Sequence, residues 1–150
     1  MTSEPRIRVI ALGVLLLHDH ALVSEGHDPS TGEDFLRPIG GGIEVGETAA
    51  QAVVREFQEE TGLEVEVWES LGVFENVYEY LGEPAHDVVF EFAMRYPAGT
   101  APRELPPLQV TEVDHSHRAR WLPLAEVLAG VHPLVPQGLY GRLAMWINRL

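Results

Sequence analysis

The sequence predicts an α/β/α sandwich, in which a mixed β-sheet is flanked by helices. Several aliphatic or aromatic-rich runs are typical of strands, beginning with residues 7–17. Residues 48–61 contain no Pro or Gly and are predicted to be helical, with Gly62 as a natural stop. Residues 137–150 have apolar side chains at helical spacing, which indicates an amphipathic helix that closes the domain.

Further strands are predicted where β-branched and aromatic residues are enriched between turn residues. They cover residues 21–24, 35–39, 63–68, 71–80, 88–96 and 119–122. Residues 26–34 and the Pro-rich residues 97–107 are predicted loops, and residues 82–84 should break the chain between two strands. Pro123 is suited to the first turn of a short helix that ends at Gly130.

The bulk composition limits the possible classes of function. With 150 residues, 45% of them hydrophobic, the chain has the size and composition of one globular domain, expected over residues 1–150. The net charge of −13 repels nucleic-acid backbones, so a nucleic-acid polymer is not expected as a partner. The longest apolar run is too short to span a bilayer, and we expect a soluble, cytoplasmic protein without a membrane partner.

The predicted helix over residues 48–61 brings three carboxylates to one face. At about 100° per residue, Glu60 lies about 40° to one side of Glu56, and Glu59 about 60° to the other. Like charges at this spacing weaken a helix by roughly a few tenths of a kcal/mol per pair, unless a cation binds there. Because the ligands are hard oxygens without Cys or His, they favour Mg²⁺ over zinc, and Mn²⁺ could substitute.

The same helix has an apolar face and two small residues beside the acids. Val53, Val54 and Phe57 fall on a face that can pack against the sheet. Ala49 and Ala52 fall on the acidic face instead. Their small size would leave room for a diphosphate; the alternative is that they are present because alanine favours helix.

A fixed spacing of residues runs from Gly41 to Leu63. It reads G-x5-E-x7-R-E-U-x-E-E-x-G-U, where U is apolar. The residues that define it are Gly41, Glu47, Arg55, Glu56, Glu59, Glu60 and Gly62. This pattern resembles the Nudix box, and families with this box hydrolyse nucleoside diphosphates linked to another moiety. The resemblance implies a Nudix-type fold and metal-dependent hydrolysis of a phosphoanhydride bond.

The resemblance also implies a set of metal ligands. Glu56, Glu59 and Glu60 would bind the cation through their carboxylates. A backbone carbonyl near the first glycine of the box would join them, which in this chain means Gly40 or Gly41. Glycine there would let the backbone approach metal and phosphate closely, although a turn that requires glycine is an alternative explanation.

Further catalytic roles follow from the same resemblance. Arg55 would form ion pairs that orient the glutamates, with Glu47 as one candidate partner. The general base varies within the family: Glu59 can serve, or an acid from a distant loop. In this chain Glu112 lies in roughly that place, and the alternative is that it is an exposed loop acid without a role.

The substrate is less well defined by the sequence. In the family, residues shortly beyond the box track substrate class: a Pro resembles ADP-ribose hydrolases and a Tyr resembles dinucleoside polyphosphate hydrolases. Tyr78 and Tyr80 fall in this region, which favours a dinucleoside polyphosphate, with ADP-ribose, nucleotide sugars and NTPs as other possibilities. The alternative is that the two tyrosines pack on one face of a sheet. Family members are often dimers, so the resemblance also implies a homodimer.

Three rival functions can be weighed from the residues. A Nudix domain that senses a nucleotide without cleaving it is the main alternative, but such domains commonly lose box glutamates and this chain has them all. An isomerase of isopentenyl diphosphate resembles a cysteine-dependent chemistry, and the chain has no cysteine. A calcium-binding protein is disfavoured because no D-x-D-x-D-G loop is present.

Overall fold

A mixed sheet lies at the centre of the fold. The structure, a computed structural model, describes residues 5–108, 112–114 and 117–150. Within these residues the strands are β1 (Arg8–Leu17), β2 (His20–Asp28), β3 (Glu33–Arg37), β4 (Ile39–Gly42), β5 (Glu66–Tyr80), β6 (Glu83–Arg95), β7 (Glu112–Asp114) and β8 (His117–Pro123). The helices are α1 (Ala49–Thr61), α2 (Leu124–Leu128) and α3 (Leu139–Ile147).

The strand order brings the glycine-rich segment into the sheet. The main path runs β5-β6-β1-β2-β8-β7, with β1 parallel to β6 and antiparallel to β2. β1 and β2 pair only near their hairpin, from Leu15↔Leu22 to Leu17↔His20. Beyond that point β4 pairs with β1 and β3 pairs with β2. Gly40 therefore lies opposite Leu12, in the middle of the sheet.

Helices cover both faces of the sheet, and β1 contributes to the core on each side. Leu15 packs in the cluster formed with Val53 and Phe57 of α1. Val14, the preceding residue, packs in a second cluster with Leu143 and Trp146 of α3. Burial of each large side chain of this kind stabilises the fold by about 1.5–3 kcal/mol. The predicted α/β class, with helices flanking a mixed sheet, is confirmed.

Three predicted boundaries were wrong. The loop over residues 26–34 is much shorter, because β2 continues to Asp28 and β3 begins at Glu33. The strands predicted over residues 63–68 and 71–80 are one strand, β5, with two irregularities in its register. Residues 83 and 84 belong to β6. Pro84 is tolerated there because β1 pairs with β6 only from Asp87 onward, so that end of β6 has one neighbouring strand.

Across the described ranges, no helix has both the length and the apolar character needed to cross a membrane.

Gly40 is required by the backbone geometry, and its replacement should destabilise the fold. Its φ is 155°, and a Cβ there would lie 2.0 Å from the carbonyl oxygen of Ala11. We expect Gly40→Ala to lower the free energy of unfolding by about 2–4 kcal/mol, measured by chemical denaturation. Gly42→Ala is the control, because no heavy atom lies within 4 Å of its added Cβ; it should change stability by less than about 0.5 kcal/mol. Equal effects of the two changes would contradict this account.

Candidate active site

Helix α1 carries the acidic residues, and its two ends are fixed by local interactions. Thr48 forms a capping box: its side chain accepts from the backbone N–H of Gln51 at 3.1 Å, and the Gln51 side chain accepts from the N–H of Thr48 at 2.8 Å. At the other end Gly62 has a φ of 76°, and its N–H donates to the carbonyl of Gln58. These caps fix where the helix begins and ends, and hence where its acidic face lies.

Arg55 connects the acidic face of α1 to the glycine-rich strand. Its Nε and Nη2 donate to the two carboxylate oxygens of Glu47 at 3.0 and 2.6 Å. Nη2 also donates to the carbonyl of Gly42 at 3.0 Å. Nη1 donates to Glu56 at 3.1 Å and to Glu59 at 3.2 Å. The predicted ion pair between Arg55 and Glu47 is therefore present, and it holds the pKa of Glu47 at about 2.

Glu60 is the most buried carboxyl of the cluster, with 8% of its surface exposed. Burial raises its pKa to about 8, and a hydrogen bond with Glu56 and the charge of Glu56 add to the rise. Arg37 and the backbone N–H of Gly40 act in the opposite direction. The Oε2 of Glu60 is buried and has no hydrogen-bond partner among the described residues. A buried acceptor without a donor is costly, and a bound cation would satisfy it.

Gly41 lies against the carboxyl group of Glu56. A Cβ at this position would be 2.7 Å from Oε1 of Glu56. The lack of a side chain therefore lets the backbone lie next to the carboxylate. Hard oxygen donors, an unpartnered buried oxygen on Glu60 and a bare backbone beside them fit a divalent cation such as Mg²⁺.

The structure brings only some of the predicted ligands together. Glu56 and Glu60 interact directly. The side chain of Glu59 is 59% exposed, and its link to Glu56 is the guanidinium of Arg55, which contacts both. In the described part of the chain, no three carboxylate or imidazole groups converge as a metal site. The Nη1 of Arg55 lies between Glu56 and Glu59 and supplies the positive charge there. The exposed Glu59 side chain must reorient to share a cation with the others.

Two further predictions about the surroundings of the site can be placed. Ala52 is fully buried in the core cluster against α1, and Ala49 packs at its edge, so they do not line open space for a diphosphate. The acidic face of α1 adjoins the sheet more closely than the helical wheel suggests. The side chain of Glu112 lies outside the described residues; its backbone belongs to β7 and pairs with Arg118 of β8.

A groove of about 830 Å³ lies between β1, β3, the β5–β6 hairpin and residues 133–137. One part of its wall is apolar and consists of Ile10, Leu12, Phe35 and Val89. Tyr78 and Tyr80 both line it, as does Arg37, which also acts on the carboxyl of Glu60. Arg37 thus belongs to the wall of the groove and also acts on the acidic cluster. The volume of the groove lies in the range of small-molecule sites.

The hydroxyl of Tyr78 is engaged within the wall of the groove. It donates to Oδ2 of Asp87 at 2.8 Å and accepts from Nη2 of Arg8 at 3.3 Å. Arg8 also donates to both oxygens of Asp87, at 2.8 and 3.0 Å. Burial and the contact with Asp87 raise the pKa of the Tyr78 hydroxyl. The network fixes the ring of Tyr78. The hydroxyl of the partly exposed Tyr80, in contrast, forms no hydrogen bond with a described residue.

No sequence pattern points to Arg8, Arg37 or Asp87. Arg8 and Asp87 are far apart in the chain and meet because β1 pairs with β6 in the register Arg8↔Asp87. For Arg8 and Asp87, the available signal was a charged residue at the start of an aliphatic run. This signal is too common to be specific.

The fold and the box on α1 together define a Nudix-type domain. The family model of the NUDIX domain matches residues 6–140, and the chain therefore belongs to the Nudix family. Both the family and the fold predicted from the box are confirmed.

Individual relatives agree with this assignment. A Mycobacterium tuberculosis protein that carries the mutator-protein name MutT4 is 36% identical over 87 residues, covering 58% of this chain and 32% of the relative. The aligned chain thus spans about a third of that relative's length. A NUDIX hydrolase from Nitrosomonas europaea has a TM-score of 0.60 at 21% identity, over 97% of this chain and 90% of that one. A UDP-X diphosphatase has a TM-score of 0.63 at 15% identity, over 99% and 67%. These two likenesses show the fold.

The raised pKa of Glu60 predicts a pH dependence of stability in the metal-free protein. Its folded pKa of about 8 lies above the ordinary value of 4.5, so the folded state holds a proton that the unfolded state releases. The stability from this group is fully present below pH 4.5 and is lost as pH rises through 8. We expect wild type in EDTA to lose free energy of unfolding between pH 5 and about 8, in denaturant titrations.

Two variants isolate the contribution of Glu60 to that pH dependence. Glu60→Gln should reduce the slope, because the amide does not titrate. Glu59→Gln should leave the slope near that of wild type, because Glu59 is mostly exposed. A wild-type slope retained in Glu60→Gln would show that other groups cause it.

Proposed function

We propose that the chain is a metal-dependent hydrolase that cleaves a phosphoanhydride bond in a nucleoside diphosphate linked to another moiety. The observation that carries the proposal is the complete box on and around α1, with the backbone of Gly41 against the carboxyl of Glu56. A groove of nucleotide size, whose wall includes Arg37, supports it. Family membership supports the same reaction class. The chain's own residues supply carboxylate oxygens as metal ligands, the positive charge of Arg55 and the wall of a groove for the substrate.

Glu56, Glu59 and Glu60 would hold Mg²⁺, with a backbone carbonyl at Gly41 as a further ligand. When bound, the cation neutralises the phosphate oxygens and lowers the pKa of the attacking water. Mn²⁺, which accepts the same oxygen ligands, could replace it. The buried, unpartnered Oε2 of Glu60 is the atom most in need of such a partner. No covalent intermediate with the protein is needed for this hydrolysis.

The other residues of the box position the ligands and move a proton. Arg55, held by Glu47 and the carbonyl of Gly42, keeps Glu56 on the side of α1 that faces the strand. A carboxylate must also accept the proton of the attacking water. Glu59 suits this role because its side chain is exposed and can rotate; Glu112 is the other candidate.

The groove favours a substrate with an aromatic base next to its phosphates. Tyr78 and Tyr80 offer aromatic surface in the wall of the groove, where a base can stack. A dinucleoside polyphosphate is our first choice on this basis. The UDP-X diphosphatase of the same fold makes nucleotide sugars worth including as well.

A substrate screen tests the proposed activity. Purified protein with Mg²⁺ is incubated with dinucleoside polyphosphates, ADP-ribose, nucleotide sugars and NTPs, and products are separated by ion-exchange chromatography. We expect nucleoside monophosphate or diphosphate products from at least one class, and none in EDTA. Binding without any product across the panel would favour a nucleotide sensor instead.

Loss of single box carboxylates tests the role of the cluster. Glu56→Gln and Glu60→Gln should each lower kcat by at least about a hundredfold, because each removes a charged ligand. Their fold is checked by unfolding curves in EDTA at pH 5, where the carboxyl of Glu60 is protonated in the folded state and Gln therefore replaces a neutral group. Glu126→Gln, an exposed glutamate on α2, is the control for the charge change. Near-normal Mg²⁺-dependent turnover in the double variant Glu56→Gln/Glu60→Gln would contradict the proposal.

A further inference from the structure

Arg37 belongs to the wall of the groove and acts on a carboxyl group of the acidic cluster. It is the last residue of β3, and its side chain lines the groove together with Phe35 and Tyr78. Its charge is close enough to Glu60 to act on that carboxyl. Three residues further on, the backbone N–H of Gly40 also contacts Glu60. The guanidinium of Arg37 is therefore near both the groove and the carboxyl of Glu60.

The guanidinium of Arg37 forms no hydrogen bond or short ion pair with any residue that the structure describes. This is unusual for a half-buried arginine in a chain with 23 acidic and 10 basic residues. Arg8, in the same groove, is bound by both oxygens of Asp87. Arg55 and Arg142, also partly buried, each contact a carboxylate through two nitrogens. The donors of Arg37 are therefore available to a ligand in the groove.

The backbone around Arg37 is held on both sides, so its side chain starts from a fixed position. Arg37 pairs with Ser24 of β2. On the other side, the N–H of Leu36 donates to the carbonyl of Pro133, and the N–H of Val135 donates to the carbonyl of Leu36, both at 2.8 Å. A guanidinium that has no hydrogen bond with a described residue and is attached to a fixed backbone suits a phosphate, which accepts two parallel N–H bonds.

We propose that Arg37 binds the phosphate chain of the substrate and holds it against the acidic cluster of α1. The inference rests on the proposed function and adds a substrate-binding residue from outside the box. It also gives the substrate an orientation: phosphates at the Arg37 end of the groove, the base toward Tyr78 and Tyr80. The competing explanation is that Arg37 acts only as a counter-charge to Glu60 within the protein.

A diphosphate mimic without a nucleoside separates these explanations, because it does not depend on which base the groove prefers. The probe is methylenediphosphonate, titrated by calorimetry into the full chain with saturating Mg²⁺. We expect Arg37→Gln to weaken its binding about tenfold or more, because two charge-assisted hydrogen bonds are lost. Arg37→Lys should recover part of the affinity, since it restores the charge without the planar fork.

Arg149→Gln is the matched control, because Arg149 is exposed and outside the groove; it should bind the probe within about twofold of wild type. Mg²⁺ is also titrated alone into each variant. A pure counter-charge predicts tighter Mg²⁺ binding in Arg37→Gln with unchanged affinity for the diphosphonate, and that result would overturn the inference. Unfolding curves of both Arg37 variants check that the fold is kept.

Failure of the inference and failure of the proposed function give different results. If wild type turns over a nucleotide but Arg37→Gln binds methylenediphosphonate as wild type does, the role of Arg37 is wrong and the function stands. If no nucleotide is turned over but the diphosphonate binds in an Arg37-dependent manner, the hydrolase is wrong and Arg37 still binds phosphate. Failure of wild type to bind the diphosphonate at millimolar concentration would overturn the role of Arg37 as well.

Discussion

The contact between Arg55 and Glu47 is the interaction on which the site depends. Glu56, Glu59 and Glu60 repel one another on a single helical turn, and the sequence places no lysine among them. Arg55 compensates from within the helix, because Glu47 and the carbonyl of Gly42 hold its guanidinium at a fixed place. The same contacts tie α1 to the end of β4. One side chain thus offsets the negative charge of the helix and connects it to the glycine-rich strand.

Without a metal, the negative charge of the acidic cluster is offset by Arg55 and by a proton on Glu60, and a bound cation could offset it instead. The Arg55 guanidinium contacts Glu56 and Glu59, and a proton on Glu60 removes the third charge. Proton loss from Glu60 and rotation of Glu59 are both small changes on the scale of the fold. Because Gly40 and the caps of α1 hold the backbone in place, we expect metal binding to change side chains of the cluster and not the backbone.

How much could be read from the sequence depends on how local each feature is. Helix α1 was predicted within one residue because a segment without Pro or Gly ends at a glycine, and both signals are local. The pairing of Arg55 with Glu47 was one candidate that the resemblance to the Nudix box implied. The helical wheel gave the relative angles of side chains, but not the position of the sheet. It therefore left open whether Ala52 makes room for a diphosphate or only favours helix, and the residue is buried. The position of a neighbouring layer is tertiary information.

The groove could not be predicted because it is made by pairings between distant segments. Arg8 meets Asp87 only through the parallel pairing of β1 with β6, and Arg37 reaches Glu60 only because β4 inserts beside β1. Neither register is encoded in a short motif. Tyr78 and Tyr80 were singled out by resemblance, and their common placement in the groove wall follows from strand alternation, which puts residues two apart on one side.

The charge of the whole molecule makes local cations necessary for the proposed chemistry. A net charge of −13 repels an anionic nucleotide at long range, so affinity must come from contacts within the site. Of the arginines near the cluster, Arg55 is saturated by carboxylates, whereas the donors of Arg37 have no hydrogen-bond partner among the residues that the structure describes. A divalent cation on the glutamates and the guanidinium of Arg37 would then act on the phosphate chain from two sides. The acidic cluster by itself repels the substrate; with these two cations beside it, the same carboxylates can attract it.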